Sequence, residues 1–187
     1  MEKLLLVGAG GCGRMVLEHA CSDYECSFLD DGVSAGTMVC GAEVIGSINE
    51  IEKYYPEYKK LVVCIGNCKF REQVYKKAEA IGYEFPNIVC KSAYVSPFAK
   101  IGNGCILFNN VVIQNGSTIG DGVILNSGVE IHHDSVIGNN VLIYANSVIR
   151  TYVHVGNRSC LGSNLTVSNN VVVPEDTVVE NGKTLFA

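Results

Sequence analysis

The chain has 187 residues, 48 % of them hydrophobic, and a formal net charge of −5. That length holds one large or two small domains with a buried core, and an acidic balance without a basic cluster excludes nucleic acid as the main partner. No run nears the roughly 18 apolar residues of a membrane span, and nine cysteines without a Cys-x-x-Cys pair read as reduced thiols in a soluble, cytoplasmic protein.

The chain opens with a strand, Lys3 to Val7, followed directly by Gly8-Ala9-Gly10-Gly11-Cys12-Gly13. Arg14 to Cys21 reads as an amphipathic helix, and a second strand, Cys26 to Leu29, ends in Asp30-Asp31. Glycines at 8, 10 and 13 satisfy G-x-G-x-x-G, and Asp30 follows at a spacing that suits a ribose hydroxyl. Such a loop lets the backbone approach a phosphate at a helix N-terminus. A purely structural glycine turn is the alternative.

Ile48 to Tyr55 reads as a short helix that Pro56 ends, Lys60 to Ile65 as a strand closed by Gly66-Asn67, and Phe70 to Ile81 as a helix. Arg71, in the first turn of that helix, suits a phosphate or carboxylate, or is a solvated arginine. Alternating β and α units give a small parallel sheet over residues 1–85, a Rossmann-like domain with room for one mononucleotide.

From Val95 to Leu185 a branched aliphatic residue recurs at every sixth position without a miss. From Cys105 to Thr177 the fifth residue of each hexad is small or aliphatic, and from Gly104 to Gly182 the fourth is Gly, Asn or Asp except at Tyr152 and Arg158. A turn former every six residues, flanked by inward-facing side chains, predicts a hexapeptide β-helix over residues 86–187, with three hexads to a coil.

His132-His133-Asp134 is the one dense ionisable cluster of that repeat. With Ile131 and Ser135 inward, His133 falls on an exposed corner beside Asp134. An imidazole with a carboxylate neighbour is a tuned general base; the alternatives are an ordinary exposed histidine beside a turn residue, or a metal site. His132, His133 and His154 occupy different places in their hexads, which disfavours a three-histidine zinc centre. Tyr144, Arg150 and Tyr152 suggest a contact surface, such as one between subunits.

Together, the GAGGCG loop, Leu29-Asp30-Asp31, Ile65-Gly66-Asn67 with Arg71, Ile124-Leu125-Asn126 and Ile131 to Gly138 resemble the NeuD/PglD family of bacterial nucleotide-aminosugar and sialic acid acetyltransferases. The resemblance runs from the first strand to about residue 180. It implies an α/β Rossmann-like domain followed by a left-handed parallel β-helix, a homotrimer, acetyl-CoA as donor and no metal. By position, His133 matches the base that deprotonates the sugar amine, Asp134 the residue that supports it, and Asn126 an asparagine that orients the acceptor. Gly10, Gly11, Cys12, Asp30, Asp31 and Gly66 match the nucleotide-sugar loops. The cofactor contacts fall to Leu142, Thr151 and Ser163; Leu142 and Thr151 stand where the family carries a histidine and a glycine. N-acetylation of a nucleotide-linked amino sugar is the activity the resemblance implies. O-acetylation, a non-catalytic nucleotide-sugar-binding scaffold and an NAD-linked enzyme are the alternatives.

Overall fold

The computed structural model describes residues 1–186 and divides into two compact units, Met1–Ile88 and a second beginning at Val89. The first is built on a five-stranded sheet of β1 (Glu2–Val7), β2 (Tyr24–Leu29), β3 (Met38–Val39), β4 (Ala42–Gly46) and β5 (Lys60–Val63), in the order β3-β4-β2-β1-β5. All neighbours run parallel except the β3–β4 hairpin. Leu4 to Val7 are completely buried, as a central parallel strand covered on both faces must be. Leu5 and Val7 pack with Val74, Tyr75 and Ala78 of helix α2 (Cys68–Ile81). On the other face Phe28, in register with Leu6, lies against Gly13 of helix α1 (Gly11–Ala20).

Helix ends follow their caps rather than the apolar pattern. Helix α1 starts at Gly11, ahead of Arg14, because the glycine loop runs straight into it: the Arg14 N–H donates to the Gly10 carbonyl at 3.0 Å. Helix α2 starts at Cys68 rather than Phe70 because Asn67 caps it, accepting from the Phe70 N–H at 3.0 Å. Gly82, at φ 109°, ends it in the left-handed conformation. The short helix before Pro56 is a 3₁₀ helix, Ile48–Tyr54, whose entry is fixed by the Ser47 N–H donating to the Glu50 carboxylate at 2.9 Å.

In the second unit, two-residue strands recur from Tyr94–Val95 to Thr184–Leu185 in three parallel sheets. Each residue pairs 18 places on, Ile113 with Ile131 and Ile131 with Ile149, so three hexads close one coil. First- and fifth-position side chains form one continuous core, from Cys105 to Val173. Fifth-position serines stay inside because each hydroxyl has a carbonyl to serve: Ser117, Ser135 and Ser147 donate to the carbonyls of His132, Arg150 and Gly162, each at 2.8 Å. The thiol of Cys105 takes the same place, reaching the Gly120 carbonyl at 3.1 Å.

The corners are uniform. Fourth-position residues from Gly104 to Gly182 all have φ between 54° and 73°. Tyr152 and Arg158, which break the turn-former pattern, adopt φ 59° like the rest. Coil geometry imposes this conformation whatever residue occupies the corner.

Candidate active site

The corner that carries His133 is pinned from inside and from the coil before it. Ile131 and Ser135 are fully buried, and the hydroxyl of Ser117 holds the His132 carbonyl. The His133 N–H donates to Gln114 Oε1 at 3.1 Å, and the Asp134 N–H to the Asn115 carbonyl at 3.1 Å. Asp134 takes the left-handed conformation, φ 60°, which aspartate tolerates better than most residues. Its carboxylate lies over Gly116, where a Cβ would come within 2.2 Å of Asp134 Oδ1. Only glycine leaves room for it.

From that seat Asp134 Oδ2 meets His133 Nδ1 at 2.8 Å. An ionised carboxylate can only accept, so the proton sits on Nδ1 and the lone pair on Nε2. The Tyr152 ring stands perpendicular to the imidazole, at 87° with centroids 5.7 Å apart. Both side chains of the pair are about half exposed, 47 % each. His132 turns instead to Glu130, with 3.4 Å between Nε2 and Oε2, and among the described residues no three His, Cys, Asp or Glu side chains converge as a metal site would require.

Other matched positions of the β-helix lie apart from this pair in their bonding. Asn126 Nδ2 donates to the Ile143 carbonyl at 3.4 Å, along its own face of the prism. Leu142 is 3 % exposed although its place in the hexad points outward. Thr151 is half-buried and offers its carbonyl to the Asn170 N–H at 3.1 Å. The Ser163 N–H donates to Asn181 Oδ1, 18 residues on, at 2.8 Å. Gln114 and Gly116, which seat the pair, escape a residue-by-residue reading. Their signal is the coil length, since Gly116 stands 18 residues before Asp134.

In the first unit each glycine of the loop has a different task. Gly8 needs its φ of 102°, and its N–H donates to the Leu29 carbonyl at 2.8 Å. Gly13 packs so tightly that a Cβ would lie 1.9 Å from the Gly8 carbonyl oxygen. Around Gly10 and Gly11 there is open space. With Gly10 at the cap, the first-turn N–H groups of α1 have no partner within the helix, which favours an anion there.

Asp30 ties this loop to the end of β2: Oδ2 accepts from the Ala9 N–H at 2.7 Å, and Oδ1 from Gly32 and Val33 at 2.8 and 3.0 Å. Asp31 is exposed and accepts from the Ile48 N–H at 2.9 Å. Burial pushes the Cys12 thiol up to about 11 against the opposing field of Arg71, so it stays protonated at neutral pH. Arg71 differs from both sequence expectations. It is fully buried and donates to the carbonyls of Ile65 and Gly66 at 2.6 and 3.3 Å and to the Cys68 sulfur at 3.5 Å. Its guanidinium shapes the loop at Gly66 from behind and presents no surface to a ligand.

Two family models match the chain: the PglD N-terminal domain over residues 3–78 and the GMPPB C-terminal domain over residues 85–185. Among solved structures, the acetyltransferase domain of PglB from Neisseria gonorrhoeae is 31 % identical with a TM-score of 0.95, covering 100 % of this chain and 92 % of that one. The same domain in complex with acetyl coenzyme A is 30 % identical with a TM-score of 0.91, covering 98 % and 92 %. A mutant of perosamine N-acetyltransferase from Caulobacter crescentus, in complex with CoA and GDP-perosamine, is 26 % identical with a TM-score of 0.93, covering 100 % and 89 %. An uncharacterised protein of Acanthamoeba polyphaga mimivirus is 29 % identical over 109 residues, which are 53 % of this chain and 20 % of the viral protein; the chain thus spans about a fifth of the length of that curated relative. No helix among the described residues is long and apolar enough to cross a membrane. An α/β unit matched by the PglD N-terminal model and followed by a left-handed parallel β-helix, with the likeness to the PglB and perosamine acetyltransferases over nearly the whole chain, places this chain in the NeuD/PglD-type family of hexapeptide-repeat acetyltransferases.

Proposed function

We propose that the protein is an acetyl-CoA-dependent N-acetyltransferase acting on the amine of a nucleotide-linked amino sugar. The observation that carries this reading is the 2.8 Å contact between His133 Nδ1 and Asp134, which leaves Nε2 free to accept a proton on an exposed corner. The structural likeness to PglB with acetyl coenzyme A and to perosamine N-acetyltransferase with CoA and GDP-perosamine supports the choice of donor and acceptor class.

In this reading the sugar amine attacks the thioester carbonyl as His133 Nε2 takes its proton, and Asp134 stabilises the resulting imidazolium. The tetrahedral intermediate collapses, the C–S bond breaks, and the imidazolium returns the proton to the departing thiolate. Asn126 orients the acceptor. The Gly10-Gly11-Cys12 turn, Asp30, Asp31 and the Gly66 loop hold the nucleotide-sugar. Acetyl-CoA lies along the β-helix near Leu142, Thr151 and Ser163, between the subunits of a cytoplasmic homotrimer.

Thermal shift with UDP-, GDP-, CMP- and dTDP-amino sugars, with and without acetyl-CoA, followed by mass spectrometry of the products, tests the proposal. A ligand at 100 times its Kd stabilises by about 2.7 kcal/mol, a Tm rise of roughly 5–10 °C at this chain length. One nucleotide class is expected to give that rise, with a product heavier by one acetyl group on nitrogen. Acetylation on oxygen alone, or acetyl-CoA binding without turnover of any amino sugar, would contradict it.

A further inference from the structure

Every corner from Gly104 to Gly182 is Gly, Asn or Asp except two, and the two exceptions differ in what they do there. Arg158 uses its corner to pair with its neighbours on the next coil, reaching Asp176 at 2.9 Å and Glu175 at 2.7 Å. Tyr152 is 58 % exposed, and its contact with the His133 ring is the one polar or ring interaction its side chain makes among the described residues. A bulky residue held at φ 59° is locally unfavourable, because the left-handed conformation crowds Cβ against the following carbonyl. Local rules are broken this way most often where function opposes stability.

We propose that Tyr152 is a positioning residue for His133, retained at a strained corner because its ring fixes the plane of the imidazole. The proposal rests on His133 being the base of the transfer reaction. The Asp134 contact fixes one atom of the imidazole, Nδ1, and leaves the ring free to rock about that hydrogen bond. A perpendicular ring 5.7 Å away blocks the rocking and keeps the Nε2 lone pair aimed in one direction. Tyr152 stands 18 residues after Asp134, one coil on, so the β-helix itself holds the two in register. Gln114 fastens the His133 backbone from the coil before, and Tyr152 meets its ring from the coil after. The chain's own choice at five other corners, asparagine, supplies the test.

Tyr152→Asn is expected to fold and to melt about 2 °C higher, because asparagine relieves the corner. Its kcat is expected to fall about tenfold with KM for both substrates within twofold, since a misaimed group costs rate rather than binding. Tyr152→Phe keeps the ring and should recover most of the lost kcat. Nitrogen-detected NMR of His133 reads the ring directly: the wild type should show a single Nδ1-protonated form, and Tyr152→Asn a mixture with broadened ring signals. A kcat within twofold of wild type, an unchanged NMR signature, or a loss of rate accompanied by a change in oligomeric mass would each overturn the proposal, the last by making Tyr152 an interface residue. Because the NMR measurement reads the imidazole and not turnover, it answers for Tyr152 even if the chain transferred no acetyl group to an amino sugar.

Discussion

Along the β-helix one residue's place predicts the place of the residue 18 further on, whereas in the α/β unit each candidate site residue is held by contacts of its own. Ser117, Ser135 and Ser147 repeat a single hydrogen bond, and Gly116, Asp134 and Tyr152 stack at a single corner geometry. In the first unit no such rule connects Asp30, which grips the Ala9 N–H, with Asp31, which grips Ile48. Repetition makes a rod that a single exposed pair can decorate without disturbing it. The α/β unit instead puts the proposed binding turn in a loop that also holds the fold together, and its glycines must be told apart one by one.

The largest expected effect separates those two roles. Gly13→Ala would put a methyl group 1.9 Å from the Gly8 carbonyl oxygen and should destabilise the fold by about 3 kcal/mol or more, as overpacking against backbone does. Gly10→Ala, with open space around it, should leave stability within about 0.5 kcal/mol in urea denaturation while weakening nucleotide-sugar binding in calorimetry. Equal losses of stability in the two variants would erase the distinction drawn between the glycines.

A smaller effect sharpens the β-helix side of the comparison. Asp134→Asn keeps a corner residue that the chain itself uses at Asn110, Asn140 and Asn146, so the melting temperature should not fall. In the proposed reaction the charge that supports the imidazolium would be lost, and kcat should fall about 10–100-fold. A variant that lost stability along with rate would show that the carboxylate fastens the coil rather than serving His133.

What is legible in the sequence divides along the same line. The hexad places Ile131 and Ser135 inside and His133 on a corner, and all three stand there. Gln114 and Gly116 escape it because their role depends on the coil before, one register away, although the 18-residue spacing carries that information. In the first unit the order of strand, glycine loop, helix and strand is visible from apolar runs. The β3–β4 hairpin is not, since its strands are two and five residues long with a Cys40-Gly41 turn in place of a familiar turn pair. Arg71 misleads because a polar residue in a first helical turn carries no mark of burial. Its carbonyl partners come from just beyond the end of β5, which only the fold brings near.

The proposed chemistry depends most on one imidazole, and His133→Ala tests it most directly. The side chain is half exposed and its removal leaves the core untouched, so the variant should fold and melt within about 2 °C of the wild type. With acetyl-CoA and the nucleotide-amino sugar identified by the ligand panel, its kcat should fall by about 10²–10⁴-fold. Acetyl transfer within about tenfold of the wild type by the folded variant would contradict the assignment of His133 as the base.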